Sequence, residues 1–142
     1  MKKYELTNET INHNSITLHR IKALKDFGNV KKGALGGYIE KEDNLSHKGN
    51  VWIYGNAKVY GNAKIYGNAT VYGNAVVYGN AVVYGNARVL GDARVLDNAE
   101  IYGNVWIYGN TLVADIILNQ NRHYTRNIIL NPFTKDAKLG VA

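Results

Sequence analysis

Four histidines, His13, His19, His47 and His123, are the side chains of this 142-residue chain best suited to move a proton near neutral pH. None lies between Lys48 and Arg122. His47 follows Ser46 and the acidic residues Glu40, Glu42 and Asp43, a setting in which a general base could be built. The plainer reading makes His47 a worn first copy of the repeat described below. His123 stands in Asn-Arg-His-Tyr beside Arg122, with Arg126 close behind, and could meet an anionic ligand where two subunits join. The plainer reading is a solvated turn. His13 and His19 have no catalytic context. The chain has no cysteine and no paired histidines at metal-ligand spacing, so neither a thiolate nucleophile nor a metal site is expected.

Charge narrows the partners. The chain carries 17 Lys and Arg against 11 Asp and Glu, a net +6. Divided by region, residues 1–46 hold eight basic and six acidic side chains, residues 47–114 five and three, and residues 115–142 four and two. Each part is therefore +2. A nucleic-acid site gathers its cations on one face, so this even spread argues against nucleic acid as a specific partner. No run approaches eighteen unbroken apolar residues, and the first residues lack a signal-peptide pattern. The chain is expected to need no membrane and is read as cytoplasmic.

The elements that must position these side chains are written in a repeat. From Ile53 the sequence runs IYGNAK, VYGNAK, IYGNAT, VYGNAV, VYGNAV, VYGNAR, VLGDAR, VLDNAE, IYGNVW, IYGNTL. With HKGNVW from His47 there are eleven hexads over residues 47–112 and no insertion. The first position is Ile or Val in ten, the third Gly in ten and the fourth Asn in ten. Period six fits neither a helix at 3.6 nor a long strand at 2. It fits a short strand plus a corner: Ala and Val turn inward, the residue between them turns outward, and Gly-Asn supplies the bend. Repetition at a fixed step builds a coil whose strands pair with those one turn away, about 4.8 Å along the axis.

Residues 47–114 thereby resemble the hexapeptide-repeat family, with Ile53 and Ala57, or Val71 and Ala75, on its aliphatic and small positions. The departure is a tyrosine at the second position of eight hexads. The resemblance implies an all-β, left-handed parallel β-helix with three hexads per triangular turn, here about four coils of eighteen residues. The run GGYIE…NLSHKGNVWIYGNA is also similar to short bacterial and phage-borne hexapeptide proteins labelled as acyltransferases. Members of the family are commonly trimers with acyl-CoA bound between subunits, a histidine base and often a loop thrown out of the coil. Neither a loop nor a mid-coil histidine is present here.

Eighteen-residue stacking predicts three outward columns: Trp52, Thr70, Arg88, Trp106; Lys58, Val76, Arg94, Leu112; and Lys64, Val82, Glu100, Leu118. Corner rings are expected to stack as Tyr54, Tyr72, Leu90, Tyr108 and as Tyr66, Tyr84, Tyr102, chiefly to cover the corners. Trp52 and Trp106, with Val76, Val82 and Leu112, are the candidate interface, since large exposed apolar patches mark association. Tyr72 and Tyr84, with Arg88, Arg94, Arg122 and Arg126, complete the residues able to touch a partner or an anion.

The flanks read as caps. Residues 1–46 hold Tyr4-Glu5-Leu6 and a second strand from Ile16 to Ile21, a hairpin about the turn Asn12–Ser15, which then feeds the coil through Gly33 and a flexible Gly36-Gly37. Residues 115–142 hold Ile116–Leu118 and Asn127–Leu130 as strands of a C-terminal cap, stopped by Asn131-Pro132 and followed by a loose tail from 134. The function expected is a non-catalytic binding or structural module without cofactor. It would be a homotrimer holding a protein partner or a small anionic ligand at subunit clefts, in a phage-type setting by sequestering a host signal. The alternative is an acetyl-CoA-dependent acyltransferase with His47 or His123 as base. Flat faces for ice would need a threonine array, and Thr70 alone lies in an outward column.

Overall fold

The structure, a computed structural model, describes residues 2–119, 121–125 and 128–130. The expected stop at Asn131-Pro132, the tail from 134 and Arg126 lie outside the described residues. From Trp52 onward the chain makes short strands of two or three residues, each separated from the next by a corner. Glycine holds the corners because the backbone there enters the left-handed region. Gly85, at φ +68°, would place an added Cβ 2.8 Å from the Gly103 nitrogen of the next turn. Asp97 and Asp115 take the same conformation, each at φ 56°, without glycine's freedom.

The strands stack into three parallel sheets. The first face runs from β3, Leu35–Ile39, through the strands starting at Lys58, Val76, Arg94, Leu112 and Ile128. The second starts at Trp52, Thr70, Arg88, Trp106 and His123, and the third at Lys64, Val82, Glu100 and Ile117, with Leu45 bridged to Ile65 below them. This is an all-β parallel solenoid of about five turns, so the expectation of about four coils falls short by one. Sixfold spacing fails only gently past Ala114. Five residues separate Val113 from Leu118 where six would keep the period, so Glu100 pairs with Ile117 and Ile101 with Leu118. Ile117 therefore points out, 60% exposed, and Leu118 points in at 7%. The expected third column is corrected at its last member, because a corner at Asp115 is one residue shorter. Beyond it Trp106 pairs with His123 and Leu112 with Ile128, so strands of the C-terminal segment join the second and first faces.

The core is a narrow column of alanines, valines and isoleucines, from Ile53 and Ala57 to Ile107 and Val113, fully shielded from solvent. Backbone pairing runs along the axis, for example Lys58 N–H to Ala75 O at 2.9 Å and Tyr60 N–H to Val77 O at 3.1 Å. Asparagine side chains at one corner bond in file, Asn62 to Asn80 at 3.2 Å and Asn80 to Asn98 at 3.3 Å. Tyr66, Tyr84 and Tyr102 stack with centroids 4.7 and 4.8 Å apart, as the sequence predicts, and Tyr54 meets Tyr72 edge-on at 6.4 Å. A further stack that the columns did not name joins Tyr60 to Tyr78 at 5.1 Å.

The N-terminal hairpin is longer than expected: β1, Tyr4–His13, pairs antiparallel with β2, Ile16–Ala23, about the tight turn Asn14-Ser15, where both residues have positive φ. β2 then pairs with β3, which joins the first face of the solenoid. Gly36 and Gly37 are close-approach residues. A Cβ on Gly37 would lie 2.5 Å from Ile53 Cγ2 and 2.6 Å from Ala57 O, so glycine lets β3 lie against the first turn.

Candidate functional site

The first turn of a parallel solenoid exposes backbone groups that would accept another strand. The cap's backbone meets some of them, as Tyr38 N–H does Ala57 O at 2.9 Å and Ser46 N–H does Ile65 O at 3.0 Å, and its side chains occupy others. Lys3, with no solvent exposure, donates from Nζ to Val51 O at 2.7 Å and to Gly49 O at 3.3 Å, and lies 4.6 Å over the Phe27 ring. Burial, with Lys25 nearby, pulls its pKa down to about 8. Buried Asn44 donates to Gly61 O at 3.2 Å and Ala63 O at 2.9 Å, while its carbonyl accepts from the N–H groups of Glu40 and Lys41. The Glu40 carboxylate accepts from Gly61 N–H at 2.8 Å.

His47 belongs to this lid. Its ring stacks on Tyr4 at 4.1 Å, and its Nδ1 accepts the Lys3 backbone N–H at 3.1 Å. Nε2 faces Glu42 at 3.8 Å, and Glu42 is itself paired with Lys2 at 2.8 Å. Burial lowers the His47 pKa, outweighing the Glu42 carboxylate that would raise it. A neutral imidazole has one lone pair. Here the Lys3 N–H consumes it, so the proton sits on Nε2 and the ring has no free basic nitrogen. A groove of about 380 Å³ opens beside it, bounded by Asp43, Ser46, Lys64 and Tyr66.

A second arrangement lies on the second face. The Arg88 guanidinium sits 4.8 Å over the Trp106 ring, and His123 stacks on Trp106 at 4.8 Å. Tyr108 meets the His123 ring edge-on at 5.9 Å. Arg88 and His123 are exposed and Trp106 half-buried, so the column is a solvent-facing strip of cation, indole and imidazole. The sequence columns placed Arg88 and Trp106 together. His123 joins them only because the short corner at Asp115 brings residue 123 into line.

Trp52 does not share that exposure. It is 1% exposed, beneath Phe27 at 5.2 Å and Tyr4 at 6.2 Å, so it leaves the candidate interface. Its place in the outward column is as expected, and the cap covers it. Val76 is half-buried against the small cluster of Leu18, Tyr38 and Tyr60. Val82 and Leu112 are half-buried on the third and first faces, Arg94 and Arg122 are exposed, and Tyr72 keeps its edge contact with Tyr54. Tyr84 donates to Glu100 Oε2 at 2.9 Å; desolvation in the ring stack, with that carboxylate beside it, pushes its pKa up to about 12. The structure thus brings Arg88, Trp106 and His123 together and keeps His47 at the opposite end of the coil. Lys3, Tyr4 and Asn44 were missed. Their signal is faint, since a lysine at an N-terminus reads as a solvated charge. Among the described residues no group of acidic, histidine or cysteine side chains could hold a metal ion, and no helix is long and apolar enough to cross a membrane.

A parallel solenoid with unbroken hexads defines the class, and the comparisons agree with it. Residues 63–79, 77–91 and 81–97 match the YdcK β-solenoid repeat. The chain is 36% identical over 62 residues to a protein of Escherichia coli (strain K12) named "Uncharacterized acetyltransferase YdcK". That alignment covers 38% of this chain and 19% of the relative, so the chain spans about a fifth of the relative's length. The resemblance to hexapeptide-repeat, acyltransferase-like proteins therefore holds. The family match includes neither His47 nor His123.

Proposed function

We propose that the protein is a non-catalytic binding module, a rigid solenoid that associates side by side as a cytoplasmic homotrimer and holds a small anionic ligand or a protein partner at its subunit clefts. The observation that carries this reading is the hydrogen bond from Lys3 N–H to His47 Nδ1 at 3.1 Å, which occupies the lone pair a general base would need. The Arg88, Trp106 and His123 strip supports a contact surface, since a cation layered on aromatic rings offers both area and charge to a partner. Light scattering tests the assembly: a trimer at micromolar concentration is expected, and a clean monomer overturns it.

A second reading, acetyl transfer from acetyl-CoA to a small acceptor, draws on the name of the Escherichia coli relative. With His47 occupied, it would fall to His123. Calorimetric titration with acetyl-CoA separates the two: no heat is expected for the binding module, and tight binding lost on His123→Ala would favour the enzyme.

A further inference from the structure

Where the hairpin tip leans on the first face, a hollow of about 230 Å³ is left between them. Its walls are His13 and Asn14 from the tip, Tyr60 and Tyr78 from the corner stack, and Val76 and Arg94 from the face. Val76 lies between Lys58 and Arg94 in the strand register, so the backbones of these two residues stand one rung to either side of an apolar floor, roughly 10 Å apart along the axis. Among the described residues no carboxylate lines the hollow and neither cation makes an ion pair; Lys58 Nζ reaches Asn56 O at 3.1 Å. Elsewhere on the same hairpin the pattern is different, because Arg20 is paired with Glu9 at 2.7 Å. The first face thus presents two cations without a carboxylate partner beneath the tip, whereas the hairpin's own Arg20 has one.

We propose that this hollow is a binding site for a phosphate group, either free phosphate or a phosphate monoester. Arg94 supplies charge from the wall and Lys58 from one strand beyond it, His13 supplies a ring that becomes cationic when an anion is present, and the Asn14 amide, now 3.5 Å from His13 Nε2, turns to donate. Recognition stops at the phosphate. Tyr60 is stacked on Tyr78 and met edge-on by His13 at 5.4 Å, so it offers no face to a base. The site lies within one chain and rests on neither the trimer nor its clefts. Burial and then Lys58 and Arg94 lower the His13 pKa, and an anion set among these groups would raise it.

The test follows the Cε1 protons of the four histidines by NMR across a pH titration, with inorganic phosphate or methyl phosphate against chloride at equal ionic strength. Bound phosphate should raise the His13 midpoint and leave His19 and His47 in place. Arg94→Ala and Lys58→Ala, both at outward repeat positions, should each weaken phosphate binding about tenfold, the scale of one charge-assisted hydrogen bond. A response to methyl phosphate identifies an ester, and a response to inorganic phosphate alone identifies the free ion. An unmoved His13 midpoint with both probes, an equal shift at all four histidines, or a shift that survives Arg94→Ala overturns the proposal.

Discussion

The backbone N–H of Lys3 and the Nδ1 of His47, 44 positions apart, meet at 3.1 Å and tie the start of the chain to the first turn of the solenoid. Both side chains also belong to the same lid, Lys3 as a buried cation and His47 as a half-buried ring stacked on Tyr4. Their titrations should therefore appear in the stability of the whole fold.

For His47 the sign is that of a base held neutral. Its folded pKa lies below the unfolded value near 6.5, so the unfolded chain gains protons first as pH falls. Stability should be full above pH 6.5 and decline through the acid range below it, with His13 adding in the same direction. Urea unfolding at about pH 7.5 and 5.5 measures this. His47→Phe, which keeps a ring on Tyr4, should lose part of the pH dependence; an unchanged slope would contradict the buried tautomer.

Lys3 acts at the other end of the scale. Its pKa falls to about 8 from 10.5, so between those values the folded protein sheds a proton that the unfolded chain keeps. Unfolding free energy should rise from pH 8 to about 10, by up to ~3 kcal/mol for a shift of this size. Above pH 10 the tyrosines reverse the trend, because Tyr4 is raised by burial and by Glu42 and Asp43. Lys3→Met should remove the alkaline rise and cost about 2 to 4 kcal/mol near neutrality through two unmet carbonyls. Denaturant titration across the pH series decides it.

Two glycines with positive φ should differ sharply on mutation to alanine. Gly33, at φ +91°, has nothing within 4 Å of an added Cβ, so Gly33→Ala meets only the backbone penalty of about 1 to 2 kcal/mol. Gly85→Ala meets that penalty and a backbone nitrogen 2.8 Å away that cannot retreat without moving the next turn. Its thermal midpoint should fall further than that of Gly33→Ala, as read by circular dichroism. Equal losses would mean that the corners do not stack as tightly as described.

Trp106 should report on association while Trp52 stays silent. If the second face forms the subunit contact, Trp106→Ala should shift the molar mass by light scattering from trimer towards monomer and leave the secondary structure intact. Trp52 lies under Phe27 and Tyr4, so quenching by iodide should reach Trp106 alone in the dissociated protein.

Much of this architecture was legible in the period of six, because inward Val and Ala and outward variable residues repeat without slippage from Ile53 to Leu112. The stacks of Tyr66, Tyr84 and Tyr102 follow from the same arithmetic. What period cannot express is contact between the cap and the coil. The burial of Trp52, the lidding by Lys3 and Asn44, and the meeting of His13 with Tyr60 all join segments far apart in the chain. The shift that set His123 on Trp106 is a local matter of spacing. The five-residue step from Val113 to Leu118 stands in the sequence, and its consequence shows only when the strands are paired.

The lid has a consequence for the life of the protein in a crowded solution. A stack of strands that pair along one axis is a one-dimensional lattice, and an open end is a seed on which other copies can polymerise. Lys3, Asn44 and Glu40 fill the unmet backbone positions of the first turn with side-chain groups that offer no further strand. They act as a chain terminator, so strand addition at those positions is stopped by chemistry.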